Sequence, residues 1–324
     1  MPNLPSTITV VAFALALTCT AAAGQDPAPQ PKVDSAQAAA LAKQWTDDLL
    51  QIDDPKKRDA AVAAIRAAIA SQDATQQTAG VQAFLAGHDA AFDHASFRNV
   101  LLPLCKESTG PLQVQAFYAL FNSKREPADQ KLILDALATP SEAMQMSGSH
   151  LLLLFHDGHL EGPAAAIVLS LLGDERVRRQ ALSGMWGAVA APELQARLLE
   201  LAGQPQTRHE AIYFGLSTLA NKQRDVIEFL IGVLQQPDTE DAQRALWGLG
   251  QGVVAEQHAL VADALIKLFA ARNSKPTRDT CLQHLRMYVG RAQVPALQKL
   301  ADNAMLTSDE QKQLRELISV AETR

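Results

Sequence analysis

The sequence predicts an all-α fold, an elongated solenoid of antiparallel helix pairs stacked along one axis. Three observations predict it. A small residue returns every 30 to 36 positions inside one apolar frame, at Ala116, Gly148, Ala181, Ala211, Ala245 and Cys281. Self-similarity at that period belongs to repeats that bury their apolar face only by stacking on neighbours. Helix signals follow one another with almost no alternating strand pattern between them. The apolar content, 48% of the chain, is mostly Ala and Leu with only 5% aromatics, which suits close helix packing.

In chain order, Ile8 to Thr18 form an apolar run, followed by the small residues Thr20-Ala21-Ala22-Ala23-Gly24. The run is shorter than the roughly 20 apolar residues of a membrane span. Ala21 and Ala23 offer a cleavage site before Gly24, although no Lys or Arg precedes Lys32 and the n-region rests on the terminal amine. A cleaved signal peptide over residues 1–23 and a periplasmic or secreted mature chain are expected. A lipid anchor at Cys19 is disfavoured, because Ala16-Leu17-Thr18 departs from the usual approach to a lipidated Cys. Residues 24–34 contain Q-D-P-A-P-Q-P-K-V and read as a disordered Pro-rich spacer. Cys105 and Cys281 then remain, in separate helical patterns, and are expected as buried thiols without a bridge.

From Ser35 to about Glu107 the sequence predicts four irregular helices, either degenerate repeats or a cap. Asp54-Pro55, an N-cap before a first-turn Pro, opens one that runs to Ala70. Residues 108–324 then carry six helix pairs, for about 16 helices in all. Their second helices centre on L-Q-V-Q-A-F-Y-A-L (112–120), M-Q-M-S-G-S-H-L-L (144–152), V-R-R-Q-A-L-S-G-M (177–185), T-R-H-E-A-I-Y-F-G (207–215), D-A-Q-R-A-L-W-G-L (241–249) and T-R-D-T-C-L-Q-H-L (277–285). Pro140, Pro192, Pro205, Pro237 and Pro276 punctuate the array. Ser308 and Gln311 fit a capping box before the last helix. The position after the small residue is apolar at Phe117, Leu182, Ile212, Leu246 and Leu282, with Ser149 the exception. Four places on, Leu120, Leu152, Met185, Leu249 and Leu285 complete a buried stripe by i, i+4 spacing. The small side chain is needed where the partner helix crosses closest.

The turns V-R-R-Q-A, T-R-H-E-A and T-R-D-T-C carry an Arg three places before the small residue. They resemble the second helix of a HEAT repeat, and the resemblance covers about residues 108–324. It implies a right-handed α–α superhelix whose second helices line the concave face; the family spans many unrelated functions. Two places after each small residue stand Tyr118, His150, Ser183, Tyr213, Trp247 and Gln283. This column lies off the buried stripe, beside the polar positions Arg179, His209 and Gln243. Aromatic and Arg side chains along a groove are usual anchors for a protein partner. The candidate protein-binding residues are therefore Tyr118, His150, Arg179, His209, Tyr213 and Trp247, with Trp186 placed to join the same face. The alternative is that Tyr118 and Tyr213 roof the core with their hydroxyls at its edge.

Catalytic leads are thin. Arg208-His209-Glu210-Ala211 is similar to the His-Glu steps of deoxyhypusine hydroxylase, a HEAT-repeat enzyme with two irons. That chemistry needs several such steps, and the equivalent sites read Met146-Ser147, Arg179-Gln180, Gln243-Arg244 and Asp279-Thr280. His150, His156, Asp157, His159 and Glu161 permit a loose metal site, but His156 before Gly158 also reads as an ordinary helix C-terminus. His88 and His94, with Asp89 and Asp93, are equally weak. Gly248, Gly250 and Gly252 follow no strand, so they are not a nucleotide fingerprint. The net charge of −6 gives no broad pull toward nucleic acid or anionic membrane. The basic clusters Lys56-Lys57-Arg58 and Arg176, Arg178, Arg179 sit beside acids and read as solvated helix ends.

The expectation is a non-catalytic scaffold without cofactor or metal, binding a protein or extended peptide. No nucleic acid is expected as a partner, nor a membrane once the signal is cleaved. Two alternatives stand beside it: a metal-dependent or lyase-type enzyme on the same fold, and a structural spacer without a ligand groove.

Overall fold

The computed structural model describes residues 32–324 apart from 52, 88–91, 93, 123–125, 127, 139–140 and 237–238. The expected signal peptide and most of the spacer lie outside the described residues, as do His88, Asp89, Asp93 and the side chain of His94. Val33–Arg324 form one compact unit. It is all-α, with seventeen α-helical segments and two two-residue strands among the described residues. The first helices are α1 Ser35–Leu49, α2 Pro55–Ile69, α3 Ala74–Ala86 and α4 His94–Glu107. Next come α5 Gly110–Asn122, α6 Asp129–Ala138, α7 Glu142–Phe155, α8 Gly162–Gly173, α9 Arg178–Gly184 and α10 Pro192–Ala202. The rest are α11 Arg208–Glu210, α12 Arg224–Leu234, α13 Glu240–Gly248, α14 His258–Ala271, α15 Lys275–Tyr288, α16 Val294–Ala301 and α17 Ser308–Glu322.

Local chemistry starts these helices where the sequence asks. The carboxylates of Asp34, Asp54 and Asp73 accept from first-turn N–H groups of α1, α2 and α3, and Pro55 opens α2. The last helix begins one residue earlier than expected. Its capping box is Thr307 with Glu310, not Ser308 with Gln311: Thr307 Oγ1 accepts from Glu310 N at 3.2 Å and Glu310 Oε2 from Thr307 N at 2.9 Å. Glu310 wins because its carboxylate also meets Arg278 at 3.3 Å, a tie that Gln311 does not make.

The helices pack in two rows. Each odd-numbered helix packs on the next odd one from α1 to α17, with the turn after α11 standing in for that helix. Even-numbered helices pack likewise from α8 to α16, and each helix also packs on its partner in the pair. Because α4 pairs with α5, the six registered pairs are α4/α5 to α14/α15, and α16/α17 is a seventh. That is one helix more than expected. A single apolar cluster runs through both rows from Ala38 to Ala321.

The small residues lie at the crossings. Ala116, Ala181, Ala211, Ala245 and Cys281 are fully buried, as are Leu120, Leu152, Met185, Leu249 and Leu285. A Cβ on Gly148 would come within 2.5 Å of Leu137 on α6 and 3.2 Å of Leu171 on α8, so both flanking helices press on that point. The exceptional Ser149 is buried too, and its hydroxyl donates to the Ala181 carbonyl at 2.9 Å, tying α7 to α9. Cys105 and Cys281 are buried free thiols.

The Arg three places before the small residue acts as a staple. Arg178 Nε donates to Leu172 O at 2.8 Å, Arg208 Nη1 to Ala202 O at 3.3 Å and Arg278 Nε to Arg272 O at 2.6 Å. Each caps the end of the preceding helix from the start of the next. Arg208 and Arg278 also reach the following repeat, at Asp241 (3.6 Å) and Glu310 (3.3 Å).

The loops at the other end are joined by a backbone ladder that sequence periodicity did not reveal. Strands β1 (His159–Leu160) and β2 (Val189–Ala190) pair in parallel, with Val189 N on Gly158 O (2.7 Å) and Ala191 N on Leu160 O (3.0 Å). Ala220 N then bonds Ala188 O at 2.8 Å, and Lys222 N bonds Gly252 O at 2.9 Å. At Gly252, where φ is +65°, a Cβ would come within 2.2 Å of Leu219 O, so the approach requires glycine.

Overpacking one crossing tests this arrangement. Ala245→Leu should lower the unfolding free energy by about 1–3 kcal/mol. Gln283→Leu, at an exposed place in the outer column, should change it by less than about 0.5 kcal/mol. Urea unfolding of both variants checks the contrast.

Candidate protein-binding face

Three segments build the site: the turn after α9, the broken helix after α11, and α13. At the position where other repeats carry Leu or Met in the stripe, this helix has Gly215. A Cβ there would press on Leu198 at 2.9 Å and Leu182 at 3.3 Å. The chain passes from α11 into a π-helical turn over Ala211–Gly215 and a 3₁₀ turn over Leu216–Thr218. Such a break frees backbone carbonyls. Thr218 Oγ1 donates to Phe214 O and Gly215 O, both at 2.8 Å. The Tyr213 carbonyl accepts from Arg244 Nε at 2.9 Å.

Arg244 is the hub. Its guanidinium carbon lies 4.1 Å from the Trp247 ring centroid, 4.3 Å from Tyr213 and 4.9 Å from Trp186. The Trp186 and Trp247 rings are 5.3 Å apart, tilted by 50°. One cation therefore meets three aromatic rings from three successive repeats, an arrangement worth about 0.5–2 kcal/mol per well-placed contact. Burial lowers the guanidinium from its ordinary value while Tyr213 opposes the shift. Tyr213 and Trp247 are half-buried, whereas Trp186 is 53% exposed and forms the open side of the cluster.

A polar rim joins it. Arg179 is exposed, 5.6 Å from the Phe214 ring and 3.8 Å from Glu210. His209 Nδ1 lies 2.7 Å from Asp241 and its ring is 5.6 Å from that of Tyr213. The structure thus gathers Arg179, His209, Tyr213 and Trp247 into one chain of contacts. Tyr118 and His150 form their own pair, edge to face at 5.4 Å, between α5 and α7. Burial pushes the Tyr118 hydroxyl up to about 12, with Ser147 opposing, and His150 is exposed. No direct contact ties this pair to the Arg244 cluster among the described residues.

His209 and Glu210 already engage Asp241 and Arg179, on the next and previous repeats. His156 is the C-cap of α7, with Asp157 and Gly158 at φ +50° and +91° after it. Among the described residues no group of three or more His, Cys, Asp or Glu is placed to hold a metal ion. Gly248 and Gly250 mark close approaches, to Ser217 and to the His284 ring.

Sequence reasoning missed Arg244 as the centre. The available signal was its position: immediately before the small residue the other repeats place Gln115, Ser147, Gln180, Glu210 and Thr280, never a cation. Gly215 in the stripe was the signal for the break.

No protein-family model matches the chain, and no curated protein matches it.

Arg244→Ala should lower stability by about 1–2 kcal/mol and red-shift the tryptophan emission, since the Trp247 ring loses its cover. Arg179→Ala, at an exposed rim position, should change stability by less than about 0.5 kcal/mol. Denaturation followed by fluorescence reads both.

Proposed function

We propose that the chain is a non-catalytic scaffold, a right-handed HEAT-like solenoid, that binds a protein or extended peptide on the row of odd-numbered helices. The observation that carries this is the exposed Trp186 seated against Trp247 and against Arg244, which also covers Tyr213. A large side chain held in place by packed neighbours loses little freedom on binding, and Trp, Tyr and Arg are the residue types that dominate interface energies. Arg179 and His209 would supply polar selection at the rim. The apolar run Ile8–Thr18 and the small residues before Gly24 support an exported compartment as the setting of this activity.

The α4/α5 to α16/α17 succession supports the solenoid reading, because the extensive contacts of each pair among the described residues are with its neighbours in the rows. A partner lying along the odd row would meet Tyr118 and His150 as well as the Arg244 cluster, giving a multivalent contact.

The test is capture from a periplasmic extract by the chain from Gly24, beside Trp186→Ala and the control Arg224→Ala on α12. The captured partner is then titrated against all three at matched helicity. Trp186→Ala should weaken binding by about 30-fold, the equivalent of about 2 kcal/mol at a hot spot. Arg224→Ala should change it less than about twofold. Equal affinity in all three proteins would place the contact elsewhere, and absence of any partner would favour a spacer.

A further inference from the structure

A lysine is buried beside this face with no acid to balance it. Lys222 is 1% exposed, among the largest fully buried side chains, in the loop between the 3₁₀ turn and α12. Its Nζ donates to Leu219 O at 2.7 Å and to Gln251 O at 2.8 Å, carbonyls on two successive loops of the ladder. An ammonium carries three N–H donors and a neutral amine two. The two acceptors match both N–H donors of the neutral amine. The third donor of an ammonium would face a site closed to water, an expensive arrangement for a charge.

The surroundings add no counter-charge. From α13, Arg244 acts on the amine with the same sign. The loop after α13 contributes the Gln251 and Gly252 carbonyls, and the chain's own loop contributes Leu219 O. From α10 comes the uncharged Gln195, held to Asn221 and Gln223. No carboxylate acts on Lys222 among the described residues.

We propose that Lys222 is a titrating tie: as a neutral amine it closes the loops before α12 and after α13 on each other, and on acidification it takes up a proton and loosens them. Desolvation first, and Arg244 second, push its amine down to about 7. The proton therefore changes hands near neutrality, where surface lysines stay charged. The direction follows from linkage. The unfolded chain holds the lysine proton up to an ordinary value of 10.5, and the folded chain releases it above about 7. Unfolding thus takes up one proton between these values, and stability rises with pH across that window. Since Arg244 feels the added charge, the loosening extends to the Trp247 ring that it covers. Enclosure also separates Lys222 from a catalytic lysine, which an external substrate must reach.

The direct experiment titrates lysine ¹⁵Nζ resonances in the whole chain, with Lys222 assigned by its loss in Lys222→Met. One resonance titrating near pH 7, against a group near 10.5, is expected; Lys222 titrating with the others overturns the proposal. The second measurement compares unfolding of wild type and Lys222→Met from pH 7.5 to 9.5. The ratio of their unfolding constants should fall about tenfold per pH unit, the thiol and tyrosine contributions being common to both proteins. A constant ratio overturns the proposal as surely as an ordinary titration does. If Lys222→Met does not fold, Lys222→Arg, which cannot become neutral, serves for assignment, and the wild-type titration alone decides.

Discussion

The packing of neighbouring helices against one buried small residue per repeat is the constraint on which the rest of this molecule depends. Where Gly148 meets Leu137 and Leu171, the first helices on both sides press on one backbone point. Such a crossing fixes which residues point inward, so the fully buried stripe from Leu120 to Leu285 follows from it. It also fixes which residues stand at the edge of the core, half-buried or exposed. The outer column of Tyr118, His150, Ser183, Tyr213, Trp247 and Gln283 is presented on one face because the position two places away is committed to the crossing.

Two further systems hold one repeat to the next, and they act at opposite ends of the helices. At one end Arg178, Arg208 and Arg278 cap the preceding helix, and the last two reach acids one repeat on. At the other, backbone pairing runs from Gly158 through Ala188 and Ala220 to Gly252. The Arg244 cluster forms where this regularity is interrupted. Gly215 removes a stripe side chain, the helix relaxes into a π-turn, and the Tyr213 carbonyl turns to Arg244. The irregular repeat thereby joins the exposed Trp186 of the repeat before it to Trp247 of the repeat after it, through Arg244.

Much of this was legible in the residues. The 30–36 spacing and the i, i+4 stripe were readable because apolar burial imposes a period on sequence. Asp54-Pro55 was readable because capping is local. What was not legible depends on partners distant in sequence. The last helix could start at Thr307 or Ser308 by local rules, and Arg278, about thirty residues earlier, decides between them. The strands at 159–160 and 189–190 are too short to leave an alternating pattern. Tyr213 and Trp247 were both singled out, yet they meet through Arg244, whose role depends on a carbonyl freed by the π-turn. Lys222 left no signal, because its acceptors are backbone atoms that any residues would supply.

The account holds that each repeat is stabilised by its immediate neighbours, and that the crossing residue governs that contact. Hydrogen exchange, read peptide by peptide in Gly148→Val against the unaltered chain, tests this most directly. The predicted result is faster exchange across α6 to α9, fading along the rows and absent from α14 to α17. Equal acceleration in all helices, including α17, would contradict it and would mean that the chain is one cooperative globule in which no crossing acts locally.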